Sequence, residues 1–293
     1  AAGLVARALR DSGVPFQVRV APFASVGSSV EDGVSVAIGS DRPDADVALD
    51  ATTAPASLEA HELAEALSTG RDGAAPDPVV ALAGVVAAGE HPGSVAASLL
   101  EAAEAAGAIE RRPGLAIPVG DAVDGLAHST LVHAPFSGDP DAAAEEFAAR
   151  ALDTEGDTDA AQRRSLASHL ALAIAADEAA TPRAATAVER ALRPYATPDA
   201  PFATLGGFAD VLNAVAREQP GTGVALALGH GGRDAAVGAW RTHGQAVHCA
   251  LRTANTGRYE GVYAVRADVR GEDAADAPDL ADSTTAGRLA TVA

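Results

Sequence analysis

Two short apolar runs, "VSVAIGS" (34–40) and "DVALD" (46–50), constrain this chain more than any other feature. Each is too short for a stable helix, and each ends at a turn-forming residue, so both read as strands. The stretches that follow, "SLEAHELAEAL" (57–67) and "PVVALAGVVAAG" (78–89), read as helices. Short strands followed by helices predict a mostly parallel sheet covered by helices, an α/β fold.

The rest of the chain extends this pattern. "AAGLVARALRDSGVPFQVRVA" predicts an amphipathic helix with Leu4, Val5, Ala8 and Leu9 on one face, a stop at Gly13 and a strand over Phe16 to Val20. "SVAASLLEAAEAAGAIERRPGLAIPVG" (94–120) reads as a helix, a turn at Gly107 and a short strand pair. From Asp139 the pattern turns helical, through "DPDAAAEEFAARAL" and "DAAQRRSLASHLALAIAADEA". The segment "RPYATPDAPFAT" (193–204), rich in proline and polar residues, reads as a linker. A second α/β unit then comprises the helix "GGFADVLNAVARE", the strand "GVALALG" (223–229), the helix "RDAAVGAWRTHGQAVHCALRT" and the strand "EGVYAVRADV". These boundaries predict an α/β domain over 1–138, a helical connector and linker over 139–200, and a smaller α/β domain over 201–293.

Composition narrows the cores and the surroundings. Hydrophobic residues make up 48% of the chain but aromatics only 3%, so the cores must be built from Ala, Val and Leu. The single cysteine, Cys249, excludes an internal disulfide framework and predicts a reducing cytoplasm. The longest apolar run, Val79 to Ala88, is too short to span a bilayer, so no membrane association is expected. The net charge is −19, and all 21 basic residues are arginine. Acid in place of lysine over an ordinary apolar core predicts adaptation to high salt, as in halophilic archaea. At molar salt the Debye length is about 3 Å, so the bulk charge says little about partners.

The order of these pieces resembles the RecJ-like branch of the DHH phosphoesterase superfamily in its archaeal form. "FADVLNAVAREQPGTGVALALG" (208–229) is similar to the helix-turn-strand signature that opens the family's C-terminal domain. "AAGLVARALRDSGVPFQVRV" (1–20) looks like the helix and strand after the family's first Asp-rich motif. "AAEAAGAIERRPGLAIPVG" leading into "AHSTLVHAPFSGDPDAA", and the tail "TTAGRLATVA", match archaeal members in outline. The resemblance implies two lobes: a DHH-type sheet domain and a DHH-associated C-terminal domain. It also implies that the first Asp-rich motif would lie before Ala1 and the glycine-rich GGGH segment beyond Ala293.

Active members of that family cut phosphodiesters with two divalent cations, Mn²⁺ or Mg²⁺, held by hard oxygen ligands and imidazole. The resemblance implies ligands at three places within this chain. At the tip of "VSVAIGS" the chain reads Ile38-Gly39-Ser40 where the family has Asp before the glycine, and Asp41 reads as a solvated turn residue. The name-giving Asp-His-His is here Asp50-Ala51-Thr52, with the acid kept and both histidines absent. The Gly-Asp pair expected near Val85 to Gly89 has no acid; Glu90 and His91 follow, and His91-Pro92 reads as a loop start. Asp50 is thus a remnant metal ligand or, more simply, a turn residue accepting backbone N–H bonds.

Other constellations carry less. His61, Glu62 and Glu65 share one helix without a second ligand pair, and His128, His133 and His169 read as loop or surface residues. His243 lies on a different helix face from His248 and Cys249, which argues against zinc. Trp240 reads as core. The glycine turn in "GHGGRDAAVG" could expose N–H groups to a phosphate, or simply join a strand to a helix. Arg217, Arg233, Arg241, Arg252 and Arg258 cluster in the second α/β unit; sharing a face, they could track a phosphate backbone, and otherwise they pair with acids.

The resemblance therefore implies a RecJ-like protein without catalysis, a scaffold in DNA replication or repair. Expected partners are single-stranded nucleic acid, GINS-type helicase factors or another RecJ-like protein. No cofactor is expected in that case. The alternative reading is an active Mn²⁺- or Mg²⁺-dependent single-strand exonuclease or small phosphoester hydrolase.

Overall fold

The structure, a computed structural model, describes residues 1–20, 33–40, 42, 44–69, 75–150, 160–176, 183–192, 194–259 and 262–267, with backbone alone at 183, 187, 256, 258, 259 and 262–265. In chain order its elements are α1 (Ala2–Asp11), β1 (Val36–Ile38), β2 (Val47–Leu49), α2 (Ala56–Ser68), α3 (Pro78–Ala87), α4 (Pro92–Val95), α5 (Ala97–Ala105) and β3 (Glu110–Arg111). Then come α6 (Ala122–His128), α7 (Pro140–Ala148), α8 (Ala160–Ala176), α9 (Arg183–Leu192), β4 (Tyr195–Ala196), α10 (Leu205–Glu218), α11 (Pro220–Ala227), α12 (Arg233–Thr253), β5 (Asn255–Tyr259) and β6 (Val262–Arg266). The class is mixed α/β, mostly helical, with small sheets. The chain divides into two compact units: 1–110 with 197–200 and 220–233, and 111–196 with 201–219 and 234–293.

In the first unit β1 and β2 form a parallel ladder in the register Val36↔Val47, Ala37↔Ala48 and Ile38↔Leu49. The turn into β2 is fastened from β1. Asp46 accepts the N–H (2.8 Å) and hydroxyl (2.7 Å) of Ser35, and its own N–H donates to the Ser35 hydroxyl. Helix α3 opens on a side-chain cap that the sequence dictates, with Asp77 accepting the Val79 N–H at 2.9 Å and Pro78 in the first turn. Its alanines and valines are buried almost throughout, which a helix without aromatics needs for close packing on α2 and α5.

Three expected strands are absent among the described residues. Phe16 to Val20 joins no ladder. The stretch from Leu115 to Val119 is buried without being a strand; Ala116 donates its N–H to the Ala191 carbonyl instead. Residues 223–227 of "GVALALG" end α11, a helix that packs on α1, where Gly3 leaves room for Ala227, and Leu228 and Gly229 turn out of it. A short apolar run between turn signals has no periodicity that separates strand from buried helix, and Pro220 at the first position favours the helix. The expected mostly parallel sheet is therefore, among the described residues, the β1–β2 pair.

In the second unit a core of Leu115, Leu126, Phe136, Phe147, Leu166 and Leu170 joins α6, α7 and α8, with Phe136 and Phe147 ring centroids 5.5 Å apart. Asp121 and Asp139 cap α6 and α7, each accepting two backbone N–H groups. The stretch expected as a linker is packed at its second-unit ends: Ala196, Phe202 and Thr204 are buried, and Ala196 bridges Thr204. Thr204 caps α10 through Gly207 N–H while its hydroxyl donates to the Ile117 carbonyl at 2.8 Å. β5 and β6 pair as an antiparallel hairpin.

Candidate functional site

The parallel ladder sets two strand ends side by side, with Gly39 donating its N–H to the Leu49 carbonyl at 2.7 Å. One end presents Gly39 and Ser40, the other Asp50. The Asp50 carboxylate turns back on its own chain: Oδ1 accepts the Thr52 N–H at 2.9 Å and the Thr52 hydroxyl at 2.7 Å. Ala51, between them, adopts a left-handed φ of 61°. Those two bonds, the N–H first, hold the Asp50 carboxyl below the usual range. Asp41 lies outside the described residues. His91 caps α4, its Nδ1 accepting the Gly93 N–H at 3.1 Å, so this nitrogen's lone pair is in use. His61 is buried with Nδ1 4.0 Å from Glu65. Among the described residues no three His, Cys, Asp or Glu side chains gather in a metal-binding group.

Of the five arginines, two lie on α12 within the second unit. Arg241 and Arg252 are three turns apart on one stripe of α12 and both bond to the segment from α6 to Gly138. Arg241 makes a bidentate pair with Asp124 (2.9 and 2.7 Å), and Arg252 donates to the Ser137 carbonyl. Arg217 donates to the Asn213 carbonyl on α10, and burial lowers its pKa. Arg233 opens α12, and Arg258 is on β5 with its side chain outside the described residues.

Between Arg241 and Arg252 the same stripe carries Gly244 and His248. A side chain at Gly244 would collide with the His128 carbonyl, so glycine permits this close approach. His248 reaches the Ser129 carbonyl through Nε2 at 3.0 Å and His133 through Nδ1 at 3.0 Å. His128, expected at the surface, is buried in α6, where its ring meets Trp240 edge-on with centroids 5.6 Å apart. His169, on α8, bonds Glu146 at 3.1 Å. His128 also lies 3.1 Å from the Asp124 carboxylate one turn earlier in α6.

One buried carboxyl is a group that sequence reading passes over. Asp210, 1% exposed on α10, accepts the Thr130 N–H (3.1 Å) and the Thr130 hydroxyl, and the Trp240 indole N–H (2.9 Å). Burial raises its pKa, against the lowering effect of those three donors. One stripe further along, His243 is fully buried with Nδ1 3.1 Å from Glu218, and its Nε2 has no hydrogen-bond partner. The available signal was position: Asp210 interrupts the apolar stripe Gly207–Val211–Ala214 that the helical period predicts. His243 and His248 serve different partners, as their angular separation on α12 requires.

These features define a mostly helical α/β protein whose polar side chains tie its own segments together. No protein-family model matches the sequence. An uncharacterized protein of Haloarcula marismortui is 48% identical over 270 residues, covering 92% of this chain and 68% of the relative. The chain belongs to the same family as that haloarchaeal protein. No helix among the described residues is long and apolar enough to cross a membrane.

Proposed function

We propose that this chain is a RecJ-like protein of the DHH type, with two lobes, whose dication motifs are degenerate, and that it acts as a non-catalytic scaffold in DNA replication or repair. The observation that carries the reading is the donor set at the two strand ends. Two dications bring four positive charges and need several carboxylates or imidazoles within reach. The chain offers Ile38-Gly39-Ser40 beside Asp50-Ala51-Thr52, and the Asp50 carboxylate already accepts two bonds from Thr52. These residues do not fit a pair of Mn²⁺ or Mg²⁺ ions. The parallel β1–β2 pair followed by α2 and α3 also supports the resemblance, as does a relative from a salt-loving archaeon.

The scaffold reading assigns the partner side to GINS-type helicase factors or another RecJ-like protein, with single-stranded nucleic acid as a further ligand. The test is a hydrolysis assay in molar salt with Mn²⁺, using labelled single-stranded DNA, single-stranded RNA and dinucleotides. The expected result is no turnover, identical in wild type and Asp50→Ala. Processive loss of a labelled strand that disappears in Asp50→Ala would establish the exonuclease reading instead; loss of dinucleotides alone would establish the small phosphoester hydrolase. Co-purification from native extract, with the captured protein identified as a GINS-type or RecJ-like factor, tests the partner; a chain that binds neither purified factor removes the scaffold role.

A further inference from the structure

His243 is 0% exposed at the middle of α12, and the bond it makes fixes which of its nitrogens carries the proton. Glu218 as a carboxylate can only accept, so Nδ1 donates its N–H to Oε1 across 3.1 Å. A neutral ring then leaves a lone pair on Nε2, and Nε2 has no hydrogen-bond partner among the described residues. A buried acceptor without a donor loses its hydration and gains nothing in return. Native interiors rarely leave such an atom empty; an ordered water supplies the missing donor where a second polar group lies in reach.

A second acceptor is incompletely filled in the same interior. An ionised carboxylate has about four acceptor sites, divided between its two oxygens. At Asp210, Oδ2 takes the Thr130 N–H and the Trp240 indole N–H, which fills its share. Among the described residues Oδ1 takes the Thr130 hydroxyl alone. Burial acts most strongly on this carboxyl, followed by its Thr130 and Trp240 bonds, and His243 is near enough to act on it electrostatically as well. Asp210 and Glu218 lie about two turns apart on one flank of α10, with Ala214 between them, fully buried. Its methyl group cannot fill the space between two carboxylates.

We propose that a single buried water lies between α10 and α12, giving one hydrogen to His243 Nε2 and the other to Asp210 Oδ1. Each acceptor gains the donor it lacks, and the water uses both of its hydrogens. Thr130, Asp210, the water, His243 and Glu218 then form one chain of hydrogen bonds, from the loop after α6 through α10 and α12. The chain fixes the rotation of the two helices: turning α12 about its axis would pull Trp240 from Asp210 and His243 from Glu218 together. The ligand is water rather than a metal ion. The facing groups are one imidazole and one carboxylate that already holds three donors, and no metal-binding group of three gathers among the described residues.

A crystal structure of the whole chain grown from molar KCl, together with ring-nitrogen NMR of His243 at neutral pH, tests the water. The expected density is one water within hydrogen-bond distance of both His243 Nε2 and Asp210 Oδ1. The expected ring is the Nδ1–H tautomer with its lone pair on Nε2. In His243→Phe, which keeps a ring of similar reach without the acceptor, that density should be lost while the Asp210–Trp240 bond stays. The proposal is overturned by density that is absent, that reaches only one of the two groups, that carries the anomalous signal of potassium, or that persists in His243→Phe. The NMR overturns it independently, without any variant, if Nε2 carries a proton at neutral pH, because the ring would then donate where it has to accept.

Discussion

Asp50 and Asp210 accept the same pair of donors, a threonine N–H and that threonine's hydroxyl, yet their carboxyls shift in opposite directions. Asp50 bonds Thr52, two residues away, beside solvent, and its pKa falls. Asp210 bonds Thr130, eighty residues away, has Trp240 as a third donor, and its pKa rises because burial outweighs all three bonds. Hydrogen bonding alone therefore predicts neither protonation state nor structural weight. The solvent around the bond sets both.

The comparison breaks most visibly at Asp210. Asp210→Ala leaves the buried Trp240 N–H and two half-buried Thr130 donors without their acceptor and is expected to cost about 3 kcal/mol, measured by denaturant titration at constant molar salt with Trp240 as the fluorescence reporter. Asp210→Asn, which keeps one acceptor oxygen, should lose less. If both variants unfold like wild type, the buried cluster contributes nothing. Gly244→Ala drives a methyl group into the His128 carbonyl and should cost about 2 kcal/mol in the same assay.

The pH dependence sharpens the contrast through its signs. His248 is neutral when folded, with its pKa lowered to about 3, so the unfolded chain binds the extra proton. Its stabilisation is complete above the ordinary imidazole pKa and is lost as pH falls towards 3. Between pH 7 and pH 5 the loss is about 2 kcal/mol. Asp210, raised when folded, acts oppositely: its contribution falls as pH rises from the ordinary carboxylate range through its folded value. Asp210→Asn should therefore steepen the acid side of the stability curve, and His248→Gln should flatten it. Parallel curves for all three proteins would contradict both assignments.

The smallest effects are expected where charge meets solvent. Arg241→Gln removes a bidentate pair with Asp124 that is half exposed on the arginine side, and should cost about 0.5 kcal/mol, less as salt rises. Asp50→Ala should leave the denaturation midpoint where it is. A large shift there would mean that the strand ends carry a tertiary load that their turn does not explain.

The caps are set by local sequence. Asp77-Pro78, Asp121 and Asp139-Pro140 precede apolar helical runs, and each aspartate accepts backbone N–H groups two or three residues on. The strands at 36–38 and 47–49 were legible for the same reason, with turn residues bounding short apolar runs. "GVALALG" was not, because a run of that length fits a strand and a buried helix equally, and its partner, α1, is over two hundred residues away in sequence. The arginines were visible as a cluster in sequence, but two of them answer to Asp124 and Ser137.

Sequence alone yielded the want of ligands at 38–40 and 50–52, the separate faces of His243 and His248, and the Asp50 turn as one of two readings. Those interactions span at most a few residues, and backbone geometry fixes them wherever the segment lies. Packing settled which side chains lost water: Asp210, His128 and His248 share no local pattern that marks them as buried. Desolvation depends on what covers a group, and here the cover comes from Thr130, Trp240 and Ser129, far along the chain.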